Sequence, residues 1–252
     1  MGRNQAADSE VRNPLTTPVP VLLTPIAPFT IITGTPGSYV KHPRLRGLGS
    51  TAPEERCAMT TVKYSLEDFT HDMESLLESQ PDNQQIFDNG SAWLERLVGS
   101  PDSIPMAFRL PLGTGPRPNH ASRMLYQGES GLQVTAVVWG AGDHLGPHDH
   151  RTWGMIGILD NGITETRYRR VDDHDVDGYA KLEKDRSATL KPGEITLLVP
   201  VEDEIHEMDN HSDRPAVEIH VYGADLRSLD RSAYDLETGK ITTFRTKRWD
   251  NC

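Results

Sequence analysis

The sequence predicts a mainly β protein, a sandwich or barrel, with a small N-terminal helical cap behind a proline-rich tail. Three observations carry this. From about Arg123 onward the chain breaks into short β-like runs, "LQVTAVVWG", "WGMIGIL", "ITETRYRR", "SATLK", "EITLLVP" and "AVEIHVYG", punctuated by Gly, Pro, Asn and Asp. Runs of this length and spacing fit antiparallel sheets rather than strand–helix–strand units. Residues 65–98 carry helical spacing instead. Residues 1–58 hold eight prolines and no sustained periodicity of either kind.

Taken in order, residues 1–58 read as a disordered Pro-rich tail, with Met59 as a second candidate start. A single domain is expected over 59–252, its cap at about 65–98 and its barrel at about 120–245. Ser65 can cap the first helix, with Asp68 three residues on, and Leu66, Phe69, Met73, Leu76 and Leu77 repeat on one face to about Ser79. A second helix spans roughly Asn83 to Val98 through Ile86, Phe87, Trp93, Leu94 and Leu97, with Gly90 weakening its middle.

Composition excludes several roles. The 252 residues hold 26 Lys and Arg against 37 Asp and Glu, a net charge of -11, and no basic block suits a phosphate backbone. Nucleic acid is not an expected partner. Cys57 and Cys252 form neither a disulfide framework nor a metal cluster, which fits a reducing, cytoplasmic setting. The apolar stretch "VPVLLTPIAPFTII" is cut by Pro20, Pro25 and Pro28, so no membrane span is expected. The protein reads as a monomer or small homo-oligomer.

The chemistry sits in "GPHDHRTWGMIG", residues 146–157. On an extended backbone His148 and His150 share one face and Asp149 points away. Gly142 lies six residues before His148, with Pro147 directly ahead of the pair. A later segment, "PGEITLLVPVEDEIHEMDN", supplies His206 after a glycine turn, an apolar strand and a proline, with Asn210 four residues on. The strands between are enough to bring His206 back opposite the first pair in a closed sheet.

These residues resemble the two motifs of the cupin superfamily, although Pro200 to His206 is one residue longer than the usual second motif and lacks its glycine. The resemblance implies a double-stranded β-helix, or jelly-roll barrel, with a metal held by His148, His150 and His206. Most cupins add a Glu three or four residues after the second His; here the chain reads "RTWGM". Three neutral imidazoles leave the full charge on the metal and open positions for an anionic substrate and dioxygen, which suits Fe(II), while Zn²⁺ also fits the ligand types.

In "EIHVYG", alternation puts Glu218, His220 and Tyr222 on one face. Together with the HDH pair this pattern resembles the thiol dioxygenases, the family of cysteine dioxygenase and 3-mercaptopropionate dioxygenase, from about Arg123 to Phe244. The resemblance implies a non-haem iron(II) dioxygenase that oxidises a small thiol acid with O2 to a sulfinic acid, with a Ser-His-Tyr relay beside the metal. His220 and Tyr222 match that relay, and Glu218 stands where the Ser is expected. Glu218 can still hold the His220 tautomer, so an altered pH dependence is expected. A Glu218→Ser variant with an unchanged pH–rate profile would undo this expectation.

Animal cysteine dioxygenases carry a Cys cross-linked to the Tyr; Met155 stands at that position in the sequence. The absence of the cross-link favours substrates other than cysteine. The resemblance offers two arginines for a substrate carboxylate, Arg123 in "SRMLY" and Arg231 in "LRSLDRSAYD", and the sequence leaves the choice open. Alternatives are a cupin metalloenzyme acting on a carbon substrate and a non-catalytic metal- or small-ligand-binding cupin. Trp139 and Trp153 read as core packing; His42, His71, His120, His144, His174 and His211 read as solvated. The run "VDDHDVDGY" reads as an exposed hairpin tip, since its spacing fails a calcium loop.

Overall fold

The computed structural model describes residues 63–115 and 117–252. The expected tail, Cys57, His42 and Met59 lie outside the described residues. Two helices, α1 (Leu66–Glu78) and α2 (Asn83–Val98), precede two short 3-10 turns and eleven strands. The strands are β1 (Ala121–Gln127), β2 (Gln133–Trp139), β3 (His144–His148), β4 (Gly154–Asp160), β5 (Ile163–Arg170) and β6 (Leu182–Leu190), then β7 (Ile195–Leu198), β8 (His206–Asp209), β9 (Ala216–Tyr222), β10 (Arg231–Tyr234) and β11 (Ile241–Phe244). They form two antiparallel sheets, ordered β1-β2-β9-β4-β7 and β11-β10-β3-β8-β5-β6. The mainly β class and the helical cap expected from the sequence are what the chain forms.

Both helices start as their sequences dictate. Ser65 accepts the Asp68 N–H while the Asp68 carboxylate accepts the Ser65 N–H. Asp82 and Gln85 make the same reciprocal cap on α2. Such a box ties down backbone donors that the first turn otherwise leaves open.

The helices cover the outer face of the five-stranded sheet. Phe69, Met73, Leu94 and Leu97 are fully buried there against Val134, Ala136, Val138, Val217, Ile219 and Val221. Each such side chain contributes roughly 1.5–3 kcal/mol, which outweighs the ~1 kcal/mol that Gly90 costs α2. Gly90 is there for contact: a Cβ would stand 2.6 Å from Met155 Cε and 3.1 Å from Met73 Sδ.

The opposite face of the same sheet lines the barrel interior. Val137 and Trp139 of β2, Ile156 and Ile158 of β4, and Ala216 and Tyr222 of β9 pack with Met208 and Leu198. Burial on both faces explains why β2 and β9 read as nearly continuous apolar runs. It also gives the polar residues among them a meaning. Glu218 and His220 alternate with Val217, Ile219 and Val221, so they point into the barrel.

Three strands around the site have little apolar signal in the sequence. β3 reads "HLGPH", β8 "HEMD" and β10 "RSAY", and the pairs β3–β8 and β3–β10 close the barrel around the histidines. The chain from Ala121 to Trp139 forms two strands, β1 and β2, joined by a turn. Residues 171–179 do form the tip between β5 and β6. Among the described residues no helix is long and apolar enough to cross a membrane.

Candidate active site

β3 and β8 pair with His148 opposite His206, and the chain turns directly after β3 to bring His150 inward. The ring centroids of His148 and His206 are 4.6 Å apart, those of His148 and His150 4.9 Å, and those of His150 and His206 5.1 Å. All three are buried, and each offers a nitrogen within 4.8 Å of the others. Asp149 points away, as strand alternation requires. It accepts the Ser232 N–H at 2.7 Å and the Tyr234 hydroxyl at 2.9 Å. That clamp fixes β10, which carries Arg231, against the histidine segment.

The turn at His150 rests on Glu204. Its carboxylate accepts the backbone N–H of Arg151 at 2.8 Å, of His150 at 3.3 Å and of Val201 at 2.9 Å. Arg151 (φ 59°) and Val201 (φ 71°) both lie in the left-handed region. A β-branched residue there costs on the order of 1–3 kcal/mol, which the buried Glu204 bonds offset. The long, glycine-free loop before His206 is therefore accommodated.

Partners behind the rings set their tautomers. His206 Nδ1 donates to Glu165 at 2.8 Å, and His148 Nδ1 donates to the Gly146 carbonyl at 3.0 Å. Their Nε2 lone pairs are thereby left free, and His206 Nε2 comes within 3.0 Å of His150 Nε2. Burial first, and the neighbouring imidazoles after it, hold His148 and His150 well below the usual histidine range; burial also lowers His206, against the Glu165 carboxylate. The His148 and His206 lone pairs and the His150 ring converge in one buried space, where a cation would draw the third lone pair inward as well. The donor set therefore fits a divalent metal.

Glu165 is itself held by Arg167 at 2.9 Å and Thr196 Oγ1 at 2.8 Å. Burial raises its carboxyl, but the His206 and Arg167 contacts win and lower it to about 2. Arg167 is buried and also donates to the carbonyls of Asp203 and Leu197. Neither residue was singled out in the sequence. The signal was present: in "ITETRYRR" Ile163, Glu165 and Arg167 share the inward face, and charge on a buried face marks a polar centre.

Glu218, His220 and Tyr222 stand side by side beside the three histidines. Tyr222 Oη lies 2.6 Å from His220 Nδ1, and His220 Nε2 lies 2.8 Å from Glu218 Oε2. The same Glu218 oxygen accepts the Trp139 indole N–H at 2.5 Å. Glu218 is 0% exposed. An acceptor-only carboxylate on Nε2 places the His220 proton there, so Nδ1 accepts from the Tyr222 hydroxyl. Burial raises the Tyr222 pKa, which keeps that hydroxyl protonated. The Tyr222 ring stacks on His150, centroids 5.0 Å apart and planes 19° apart.

Three sequence expectations need correction. Met155 does not adjoin Tyr222: it faces the cap, packed with the outer core against Gly90. Strand alternation puts Gly154 beside Tyr222 instead, where a Cβ would stand 3.0 Å from Tyr222 Cδ1. Trp139 is more than packing, since it donates to Glu218 and lines the site. His120 also differs from expectation. It is half-buried at the mouth, bonded to Asp143 at 3.3 Å and edge-on to Trp139. His144 lies on β3, paired with Asp209 at 2.7 Å.

The histidines open onto a cavity of about 120 Å³. Its wall includes Tyr222, His220, Arg231, Thr135 and Trp249, and no Asp or Glu among the described residues. Arg231 is 7% exposed and donates to Thr246 Oγ1 at 2.6 Å, with its guanidinium 4.4 Å above the Phe244 ring. Its Nε has no partner. Arg123 lies elsewhere. Ser122 takes the inward face of β1, and Arg123 donates to the carbonyls of Leu110 at 2.5 Å and Phe108 at 3.4 Å.

Residues 117–235 match the family model described as cysteine dioxygenase type I. Similar solved structures include oxalate oxidase in complex with the substrate analogue glycolate, at 15% identity over 46% of this chain and 56% of that one, with a TM-score of 0.36. A cupin superfamily protein from Desulfitobacterium hafniense is similar at 17% identity over 46% of this chain and 90% of that one, with a TM-score of 0.32. The chain thus spans 56% of the oxalate oxidase chain's length.

Proposed function

We propose that the protein is a thiol dioxygenase that converts a small thiol carboxylate to its sulfinic acid, adding both atoms of O2 to the sulfur, a reading supported by the match of residues 117–235 to the cysteine dioxygenase type I family model. One observation carries the reading: a single small cavity holds three convergent neutral imidazoles, a hydroxyl oriented through His220, and a buried guanidinium without a carboxylate partner among its wall residues. His148, His150 and His206 would hold an iron(II) ion, which when bound supplies the electron transfer that the reaction of thiolate with dioxygen requires. Zn²⁺ would satisfy the same ligands but cannot change its oxidation state.

The chain's own residues divide the remaining tasks. Arg231 binds the substrate carboxylate. Desolvation makes that pairing strong, and the fork of the guanidinium fixes orientation. Arg123 is out of reach on the other face of β1. Tyr222 presents a hydroxyl whose direction is set by His220, which is set in turn by Glu218 and Trp139. Tyr222 then binds the substrate or the incoming oxygen by hydrogen bond. The Gly146, Glu165 and Arg167 contacts keep two of the imidazoles oriented before anything binds.

We infer 3-mercaptopropionate rather than cysteine as the preferred thiol, on the size and lining of the cavity. An apolar cavity of ~150 Å³ takes a benzene-sized molecule of about six heavy atoms, and this space is slightly smaller. No carboxylate lines it to receive an ammonium group. The test is oxygen uptake by protein loaded anaerobically with Fe(II) and offered 3-mercaptopropionate, cysteine and cysteamine separately. Uptake should be greatest with 3-mercaptopropionate, match its sulfinate in amount and vanish in His206→Ala. No thiol-dependent uptake by iron-replete protein would overturn the reading.

A further inference from the structure

We propose that Trp249, brought into the cavity by the segment that follows β11, donates its indole N–H to the substrate carboxylate alongside Arg231, and so makes residues 245–251 the specificity wall of the site. This deepens the thiol-carboxylate reading and rests on it. Trp249 is 5% exposed, lines the cavity, and its Nε1 is buried with no hydrogen-bond partner among the described residues. A buried donor left unpaired carries a desolvation penalty, and a native structure retains one where something else supplies the acceptor. The indole is donor-only, so the missing partner must be an acceptor. Thr135 Oγ1 and Arg231 Nε are unpartnered in the same cavity. Two N–H donors and a hydroxyl on a wall that carries no acidic side chain among the described residues describe a pocket for an anion.

The segment is built to hold Trp249 in place. Asp250 and Ser122 exchange bonds: the Asp250 N–H donates to the Ser122 carbonyl at 2.8 Å, and its carboxylate accepts the Ser122 N–H at 2.7 Å. Asn251 repeats the exchange on Met124, its amide accepting from the N–H at 2.9 Å and donating to the carbonyl at 2.8 Å. At the other end Thr246 accepts from Arg231. One short segment therefore touches both proposed carboxylate donors and the edge of β1. Beyond Trp249 the cavity opens to a wider depression edged by Arg117, Arg248 and His120.

Trp249→Phe keeps the ring and removes the donor. Steady-state kinetics with 3-mercaptopropionate, and inhibition by propionate as a thiol-free carboxylate, should show KM and the inhibition constant each rising about tenfold, with kcat within twofold and the melting temperature unchanged. Unchanged constants in a folded variant would overturn the assignment. If wild-type protein oxidises no thiol, the functional reading fails separately. Calorimetric titration of wild type and Trp249→Phe with propionate then still decides: weaker binding by the variant supports the donor role, and equal or absent binding by both rejects it. Should the phenylalanine variant not fold, Asn251→Ala carries the test. It loosens the anchor while leaving the indole intact, and a KM rise of about threefold is expected; no rise rejects the wall.

Discussion

Replacing Glu218 with leucine should separate the orienting role of this carboxylate from its contribution to stability. The side chain is fully buried and one oxygen receives two donors, Trp139 Nε1 at 2.5 Å and His220 Nε2 at 2.8 Å. Leucine strands both, at roughly 1–3 kcal/mol each. His220 can escape by moving its proton to Nδ1, but the indole cannot. About 2 kcal/mol of lost stability should remain, or a fall in melting temperature of roughly 4–8 °C. The escape has a chemical consequence. With the proton on Nδ1, the Tyr222 hydroxyl must accept from His220, and its own proton turns into the cavity. Oxygen uptake should drop on the order of 10²-fold, whereas Glu218→Gln, which retains an acceptor at the same oxygen, should stay within about tenfold. Thermal unfolding and initial rates on the iron-loaded variants check both numbers. A leucine variant with wild-type melting temperature and kcat would refute the orienting role.

Glu165→Gln should weaken metal binding about 10- to 100-fold in a chelator competition, because the His206 ring loses its charged partner; unchanged affinity would mean that Glu165 serves Arg167 alone. Gly154→Ala should press a Cβ onto the Tyr222 ring at 3.0 Å and lower kcat by roughly tenfold in a folded protein, since even small displacements of a positioned group are costly. His120 is held down to about 4, by burial first and then by the Arg117 charge. Its folded pKa lies below its unfolded value, so the unfolded chain binds the proton first and stability is lost as pH falls from 6.5 toward 4. The loss approaches about 3 kcal/mol. Denaturant unfolding at pH 7 and pH 4.5 should show a smaller acid loss in His120→Gln than in the wild type, and equal losses would contradict the assignment.

The reading from sequence succeeded where alternation or spacing determines geometry. Glu218, His220 and Tyr222 stand at offsets of two along β9, where strand geometry alone aligns them, while His148 and His150 share that offset but need the turn after β3 to converge. The two helices were legible to within about a residue of their ends; the cap of the first is written locally in Ser65 with Asp68, whereas the Asp82–Gln85 cap of the second was not singled out. Other features depend on what a residue meets across the barrel. Whether Met155 or Gly154 adjoins Tyr222 turns on the register between β4 and β9, a matter of one residue and of opposite faces. The choice between Arg123 and Arg231 needed the inward phase of β1. Strands β3, β8 and β10 carry no apolar run because one face is polar and the other holds the site, so their signal was functional rather than hydrophobic. Trp249 gave no motif at all. It reaches the cavity through side-chain pairing with β1, which leaves no pattern in the sequence around it.

β1 is the outermost strand of its sheet, and the bonds from Asp250 and Asn251 occupy the N–H and C=O groups of Ser122 and Met124 that would otherwise face outward. An uncovered edge of this kind is a template for another chain. The residues that seat Trp249 therefore also guard against aggregation. Any attempt to widen the substrate range by loosening this segment should trade selectivity against solubility, and variants at Asp250 or Asn251 are the ones in which intermolecular strand pairing should first appear.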